Sequence, residues 1–358
     1  MIELEAIKAA RERIAGIAVR TPLIRLEQDP LPRSRGPLDS PHEANGLRRD
    51  PEEASFAGWG VGGVPGAAGG GGAEPPAGTE LWLKLEVLQP VGSFKIRGAA
   101  NAMAQMAPAD LARGVVTASA GNMAQGVAWN ARRLGLACTV IAPDHAPEAK
   151  VRAVERLGGR VLKVPFDEWW QAFVDRGRPG LDGAFIHAFD DERVMAGNGT
   201  IGLELIEDLP ELDAVVVPWG GGGLACGIAS AVKALQPSCR VLAVEVDTGA
   251  PLAASLAAGR VVTVDYQPSF VDGIGSKTVF ASMLERARAL LDGSVVVSID
   301  EVAAAVRRLA LSAHVVAEGA GAAALAAALS GRAGGGRVAC IVSGGSIGAD
   351  TLAEILTA

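Results

Sequence analysis

The chain has 358 residues, 49% of them hydrophobic, which is enough to bury the core of one large domain or of two closely packed domains. Its net charge is −7 and it has no long basic run, which argues against nucleic acid as a partner. The start of the chain is acidic and no apolar run could span a bilayer, so we expect no signal peptide, no membrane segment and a cytoplasmic location.

Cysteine and histidine give no sign of a disulfide framework or a metal site. The four cysteines form no C-x-x-C pair and lie mostly among apolar neighbours, so we predict buried, reduced thiols. The four histidines are scattered, without the spacing of metal ligands.

In chain order, an amphipathic helix is predicted over 3–19, and an extended segment begins at Thr21. The composition then changes over 29–78: 12 of the 20 residues from Gly60 to Thr79 are Gly or Pro. Such a stretch cannot bury enough apolar area to offset its ordering entropy, so we predict a flexible insertion.

Strands and helices alternate after this insertion. Strands are predicted over 81–86, 115–118, 138–142, 160–164, 213–218, 240–245 and 337–342. Helices are predicted over 94–106 with Ser93 as N-cap, over 121–134, 148–157, 196–209, 302–311 and 321–329, and from the glycines at 220–223 through Lys233. Because the strands are apolar throughout, this order predicts parallel sheets covered on both faces.

The segment Gly-Ser-Phe-Lys-Ile-Arg-Gly-Ala at 92–99 places Lys95 at the start of a helix. The partial positive charge of a helix N-terminus favours a neutral amine, which suits a lysine that condenses with a carbonyl group. A lone lysine is more often a solvated surface residue, but the apolar neighbours Phe94 and Ile96 argue against that here.

A run of four glycines follows the predicted core strand 213–218. Consecutive glycines between a strand and a helix let backbone amides converge on a phosphate, although a tight turn alone also needs glycine. The dinucleotide pattern G-x-G-x-x-G is absent, because Cys226 stands where the third glycine belongs, and no lysine-containing P-loop is present.

Two further loops follow predicted strands. The amides at 119–126 could hold a carboxylate, and Asn122 could hydrogen-bond a ring oxygen, although a plain capping loop is the alternative. Ser343, in Ser-Gly-Gly, lies at the carboxyl end of the last strand, where open α/β sheets place ligands, and a simple turn is again the alternative.

In order and spacing, these four segments resemble the threonine/serine dehydratase and serine racemase group of fold-type-II pyridoxal-phosphate-dependent enzymes. The segments at 84–89, 187–191, 196–200 and 272–274 add to the resemblance, which runs from Thr21 to the C-terminus apart from the insertion. It implies two open-sheet α/β domains, as in the tryptophan synthase β fold. The implied large domain is 1–112 plus 191–358, containing the insertion 29–78, and the small mobile domain is 113–190. Family members are commonly dimers or tetramers.

The resemblance also implies the site. Lys95 would bind pyridoxal 5′-phosphate covalently and remove the α-proton, while Phe94 packs against the ring, Asn122 contacts its oxygen and Ser343 faces its nitrogen. The implied phosphate site comprises Gly220, Gly221, Gly222, Gly223 and Leu224, and Gly273 and Glu318 also border the cofactor. The implied substrate contacts are Ser119, Ala120, Gly121, Asn122 and Met123.

The implied reaction is loss of water from a small β-hydroxy amino acid such as threonine or serine, which yields a 2-oxo acid and ammonia. A serine at position 343 leaves the ring nitrogen largely neutral, unlike an aspartate, and this favours prompt expulsion of a β-substituent. The chain ends soon after Ser343, so we expect no C-terminal regulatory domain.

Several positions depart from the family pattern. Ala120 replaces the serine that racemases use as an acid, so a lyase is favoured over an amino-acid racemase. Met123 replaces a usual histidine beside the substrate pocket, which leaves threonine, serine, 3-hydroxyaspartate and a bulkier β-hydroxy amino acid open as substrates. Ser346 replaces a usual asparagine. Glu245 would begin a divalent-cation site, but Pro251 falls where its second carboxylate belongs, so no metal is expected and Glu245 is the one candidate ligand.

Two other classes of protein fit less well. A non-catalytic phospholigand-binding protein would share the glycine loop, but the intact Ser-Phe-Lys segment argues against it. A nicotinamide-dependent oxidoreductase would need the dinucleotide fingerprint that the chain lacks.

Overall fold

The ten strands of the computed structural model form two separate sheets within the residues that it describes, 1–27, 74–119 and 121–358. The first sheet has the order β1-β2-β10-β7-β8-β9. Its strands are β1 (Leu23–Leu26), β2 (Glu80–Leu85), β7 (Ala214–Pro218), β8 (Arg240–Val246), β9 (Gly293–Val297) and β10 (Arg337–Val342).

All neighbours in this six-stranded sheet are parallel except the first pair. β1 runs antiparallel to β2, with Leu23 opposite Lys84, so the prediction of purely parallel sheets was wrong at this edge. An edge strand pairs on one side only, and an antiparallel edge on an otherwise parallel sheet is common.

The second sheet has four strands, all parallel, in the order β5-β4-β3-β6. Its strands are β3 (Val115–Ala118), β4 (Cys138–Pro143), β5 (Arg160–Val164) and β6 (Ala184–Phe185). Every residue of β3 is buried, because this strand lies between two others and under helices on its faces. The two sheets confirm the predicted α/β class.

Helices cover both sheets. They are α1 (Leu4–Ile14), α2 (Lys95–Met103), α3 (Pro108–Leu111), α4 (Asn122–Leu134), α5 (Glu148–Arg156), α6 (Phe166–Val174), α7 (Glu192–Asp208), α8 (Gly223–Leu235), α9 (Pro251–Ala258), α10 (Ala281–Leu290), α11 (Ile299–Ser312), α12 (Gly319–Leu329) and α13 (Ala349–Thr357), with a 3₁₀ turn at Glu86–Leu88. In β7, Val215 and Val217 enter the core on one face of the sheet, and Ala214 and Val216 enter the core on the other. This alternation explains why a central strand is apolar at every position.

Some predicted boundaries differ from the structure. α1 ends at Ile14 rather than at 19, and α7 begins at Glu192 rather than at 196, with Asp191 accepting a hydrogen bond from Arg193 N as its cap. The predicted N-cap Ser93 was wrong: Phe94 occupies that position and makes no side-chain cap. The elements α3, α6, α9, α10, α13, β6 and β9 had not been predicted.

Other predictions concern burial and the undescribed parts of the chain. All four cysteines are buried and unpaired, as predicted. Within the part of the chain that the structure describes, no helix is both long enough and apolar enough to cross a membrane. Most of the predicted insertion 29–78 lies outside the described residues, and so does Ala120.

Candidate active site

Lys95 is the first residue of α2, and its side chain is half-buried. Its Nζ donates a hydrogen bond to the backbone oxygen of Ala188 at 3.0 Å and lies 5.0 Å from the centroid of the Phe94 ring. Burial lowers the pKa of Lys95 to about 8, and the charge of Glu318 opposes this shift only in part. Roughly a tenth of the amine is then neutral at pH 7, far more than for an ordinary lysine.

A buried ionic cluster holds α2 in place. The guanidinium of Arg97, two residues after the lysine, donates to both oxygens of Glu86 at 2.8 and 2.9 Å and to both oxygens of Glu204 at 2.6 and 3.0 Å. Lys84 Nζ lies 2.7 Å from Glu204 Oε2, and Thr21 Oγ1 donates to Glu86 at 2.6 Å. Two cations and two anions therefore meet with their hydrogen bonds satisfied, which makes their burial tolerable.

The carboxyl end of β10 lies directly against the start of α2. Phe94 N donates to the backbone oxygen of Ser343 at 3.1 Å, and Ser93 pairs with Gly344 in an antiparallel bridge. Ser343 is buried. The structure thus places Ser343 beside the start of α2, although the two are far apart in sequence.

Asn122 and Glu318 meet on the other side of Gly344. Asn122 Nδ2 donates to Glu318 Oε1 at 2.7 Å, whereas the buried Asn122 Oδ1 has no hydrogen-bond partner among the described residues. Burial raises the pKa of Glu318 to about 7, with a further contribution from the charge of Asp272, and the hydrogen bond from Asn122 opposes the shift. A Cβ added to Gly344 would lie 2.5 Å from Glu318 Oε1, and one added to Gly273 would lie 3.5 Å from the same atom.

The glycine loop connects β7 to α8. A Cβ on Gly221 would overlap the Phe189 ring, one on Gly222 would overlap the Trp219 ring, and one on Gly223 would lie 2.7 Å from Phe189 O. Packing therefore requires glycine at these positions before any ligand is considered, so the tight-turn and the phosphate interpretations are both compatible with the loop. The N-terminus of α8, which begins at Gly223, adds partial positive charge.

The loop before α4 carried the predicted substrate contacts. Ser119 Oγ accepts a hydrogen bond from Gly121 N at 3.2 Å, and a Cβ on Gly121 would meet open space. Met123 is buried in the core around the four-stranded sheet. Its contact with the substrate stays a prediction.

Glu245 has a structural role in α9. Its carboxylate accepts hydrogen bonds from Leu252 N at 2.8 Å, Ala253 N at 2.7 Å and Ser294 Oγ at 2.9 Å. These donors use both oxygens and stabilise the first turn of the helix. Across residues 1–27, 74–119 and 121–358, no group of three or more acidic, histidine or cysteine side chains could hold a metal ion.

Sequence reasoning missed several residues beside the amine. Ala188 supplies the oxygen that binds Lys95, and His187 and Phe189 flank it. The segment 187–191 contributes to the family resemblance, but nothing in its local pattern indicated that a backbone oxygen would accept a hydrogen bond from Lys95. Trp219, which lies against the glycine loop, was likewise overlooked.

The fold and this site define the class of protein. The chain matches the family model for pyridoxal-phosphate dependent enzymes over residues 72–344, and it belongs to that family. It is 42% identical over 282 residues to an L-threonine ammonia-lyase of Thermotoga maritima, which covers 78% of this chain and 70% of the relative. It is 38% identical to a catabolic L-threonine dehydratase of Escherichia coli, with 77% of this chain and 85% of the relative covered.

Solved structures agree with these relatives. The structure of maize serine racemase matches with a TM-score of 0.79 at 28% identity and covers 99% of this chain and 97% of its own. The processed form of threonine deaminase isoform 2 from Solanum lycopersicum matches with a TM-score of 0.71 at 33% identity, and the match covers 78% of this chain and 83% of that one.

The residues present fit the cofactor of this family. Lys95 offers a buried amine of lowered pKa, and Asn122 offers a buried Oδ1 that no described residue binds. The backbone amides of the glycine loop and the start of α8 offer donors and positive charge suited to a phosphate.

Proposed function

We propose that this protein is a pyridoxal-phosphate-dependent ammonia-lyase that removes water from threonine or serine, which yields a 2-oxo acid and ammonia. The observation that carries the proposal is the position of the Lys95 amine, which donates a hydrogen bond to Ala188 O at 3.0 Å. The next residue, Phe189, packs on the glycine loop, so the amine lies close to that loop in the fold. The relatives named threonine ammonia-lyase or dehydratase are 36–42% identical, whereas the serine racemase structures are 27–28% identical. The lyase is therefore preferred to a racemase.

The cofactor would be held by groups from both sheets. When bound to Lys95, pyridoxal phosphate supplies an electron sink that makes the α-proton of an amino acid acidic. We assign its phosphate to the loop Gly220–Gly223 with Leu224, its ring oxygen to Asn122 and its ring nitrogen to Ser343. Phe94, Gly273 and Glu318 complete this cofactor site.

The chain's own groups would move the protons. Lys95, with its pKa near 8, can accept the α-proton as a neutral amine, and the β-hydroxyl must gain a proton to leave as water. The proton taken up by Lys95 balances the proton lost with that water, so the amine ends the reaction neutral. The Ser343 hydroxyl carries no charge, so it would leave the ring nitrogen of a bound cofactor unprotonated, which would favour loss of the β-substituent. The substrate carboxylate would bind the loop at Ser119, Gly121 and Asn122, and Ala120, proposed for the same loop, lies outside the described residues.

We assign two domains and a closing motion to this site. Residues 1–112 and 191–358 would form the large domain, and 113–190, which contains the four-stranded sheet, the small mobile one. The Asn122–Glu318 hydrogen bond joins the two across the site, so movement of the small domain would carry the asparagine loop onto the substrate. A cytoplasmic homo-oligomer, dimer or tetramer, is proposed from the family resemblance, and light scattering on the purified protein would measure its size.

Threonine, serine and 3-hydroxyaspartate should be compared as substrates of the purified holoenzyme, with 2-oxo acid and ammonia as the measured products. We expect turnover with threonine or serine. Release of both products from 3-hydroxyaspartate alone would contradict the proposed substrate.

Lys95→Ala should abolish the yellow absorbance of the covalently bound cofactor and lower turnover by at least about 10²–10⁴-fold, since it removes both the attachment point and the base. Lys163→Ala is the matched control, because Lys163 pairs with Glu148 at the surface. A Lys95→Ala protein that kept both the absorbance and the turnover would refute the proposed function.

A further inference from the structure

The turn at 187–190 contacts both chemical parts of the proposed site. Ala188 O accepts the hydrogen bond from Lys95 Nζ at 3.0 Å. The next residue, Phe189, lays its ring against Gly221 and its backbone against Gly223. One short segment therefore sets the position of the amine relative to the glycine loop.

The imidazole of His187 holds this turn together. Its Nδ1 accepts hydrogen bonds from Asp190 N at 2.8 Å and from Phe189 N at 3.3 Å. Because Nδ1 is an acceptor in both, the neutral ring must carry its hydrogen on Nε2. That Nε2 is buried and has no hydrogen-bond partner among the described residues.

The surroundings of His187 keep the ring neutral and fixed. The ring is 1% exposed and makes edge-to-face contacts with Phe189 at 4.5 Å and Phe173 at 5.5 Å between centroids. Burial lowers its pKa to about 4; the positive charges of Arg176 and Lys95 add to this shift, and the negative charges of Asp190 and Asp191 oppose it. The acceptor on Nδ1 is therefore retained at every pH at which the enzyme would work.

The same ring also lies between the two sheets. Phe173 belongs to α6 beside the four-stranded sheet, whereas Phe280, 5.8 Å from His187 between centroids, caps α10 beside the six-stranded sheet. Aromatic rings from both sides thus prevent the imidazole from rotating away from the turn.

We propose that His187 is a positioning residue that holds Ala188 O on the Lys95 amine and the Phe189 ring on the glycine loop through its Nδ1 acceptor. The inference rests on the proposed function in assigning Lys95 and the glycine loop to the cofactor. The inference goes beyond that function because it assigns a role to His187, which does not itself contact the reacting atoms. That role is to fix the position of the Lys95 amine relative to the glycine loop.

A merely space-filling role for His187 makes different predictions. His187→Asn keeps an acceptor near the place of Nδ1, His187→Gln puts its amide where Nε2 was, and His187→Phe keeps the ring without an acceptor. If only volume mattered, the Phe variant would resemble the wild type best. If the Nδ1 acceptor matters, the Asn variant would.

Two measurements that do not use turnover test the proposal. In the cofactor-free protein, acetylation of Lys95 is followed against pH by peptide mass spectrometry, and binding of pyridoxal phosphate is followed by its absorbance. We expect the Asn variant to keep a Lys95 midpoint near 8 and a Kd within about threefold of the wild type. In the Gln and Phe variants the midpoint should rise, because an amine no longer held at Ala188 O can turn toward water and escape the burial that lowers its pKa. The Kd should weaken by about tenfold or more.

Thermal unfolding shows whether each variant is folded. A folded His187→Phe protein with wild-type labelling and Kd would overturn the proposal. Should that variant not fold, the Asn and Gln pair decides, because the two amides differ mainly in where the acceptor lies, and equal behaviour of the two would also overturn it. Absence of turnover with both threonine and serine, together with normal cofactor binding, would contradict the proposed function alone.

Discussion

Burial shifts the pKa values of single residues in the candidate site, and Glu318 is the clearest case. Its pKa rises from an ordinary value of 4.5 to about 7 in the folded protein, because burial disfavours the charged carboxylate. The folded state therefore binds the proton more tightly than the unfolded state does. Its stabilising contribution is complete below pH 4.5 and is lost as the pH rises to about 7.

Glu318→Gln should remove this pH dependence from the cofactor-free protein. The shift corresponds to about 3 kcal/mol, so the wild type should lose that much more stability than the variant between pH 4.5 and pH 8. Urea unfolding at a series of pH values measures the difference, with the exposed Glu155→Gln as control. Parallel stability profiles against pH for wild type and Glu318→Gln would show that burial does not raise the pKa of the Glu318 carboxylate.

Gly221 is the residue at which the glycine loop is most crowded. Gly221→Ala should cost about 1–3 kcal/mol and weaken cofactor binding, since the added methyl overlaps the Phe189 ring. Gly177→Ala is the control, because its Cβ would meet no atom within 4 Å. Urea unfolding measures the loss of stability, and a pyridoxal phosphate titration measures the loss of affinity. A Gly221→Ala protein with the same stability and affinity as the control would mean that the loop shifts to accommodate the methyl group.

At the scale of elements, the ionic cluster joins β2, α2 and α7. Arg97 stands at its centre between Glu86 and Glu204, and all three side chains are at most 5% exposed. Removing one partner from such a cluster leaves buried, uncompensated charge, which costs far more than losing a surface ion pair.

Arg97→Met should therefore destabilise the protein by about 3–5 kcal/mol. Arg97→Lys should restore little of this, because an ammonium cannot reproduce the two-sided fork to both carboxylates. Arg113→Met, which breaks the exposed pair with Asp110, should cost at most about 1 kcal/mol. Denaturant midpoints measure all three variants, and equal losses for Arg97→Met and Arg113→Met would contradict the role of the cluster.

At the scale of the whole molecule, an ion pair between Lys150 and Asp272 connects the two sheets at the edge of the site. Lys150 belongs to α5 beside the four-stranded sheet, and Asp272 precedes α10 beside the six-stranded sheet. The pair is partly exposed, so salt should screen it.

Lys150→Ala should raise KM by at most about fivefold at low salt, because the pair contributes about 0.2–1 kcal/mol to the closed arrangement. The difference from wild type should vanish near 1 M salt. Lys163→Ala is the matched control, because its partner Glu148 lies beside the same four-stranded sheet. An effect that did not depend on salt would show that the ion pair is not its cause.

The sequence predicted residues defined by chemistry better than it predicted contacts. Lys95, Ser343 and the glycine loop were predicted from residue type and order, and the structure places the backbone of Ser343 against Phe94, the residue before Lys95. The burial of Met123 in the core around the four-stranded sheet was not predicted, because it depends on how α4 packs against that sheet. The antiparallel direction of β1 depends on its pairing with β2, which lies across the insertion.

By itself, the sequence determined the alternation of strands and helices and pointed to Lys95 as the proposed cofactor amine, because periodicity and residue type are local properties. Only the tertiary structure decided that Ala188 O holds this amine, that Arg97 faces two carboxylates and that His187 accepts from the turn beside it. Those contacts depend on how two sheets and their helices pack in space. No local pattern of residues encodes that packing.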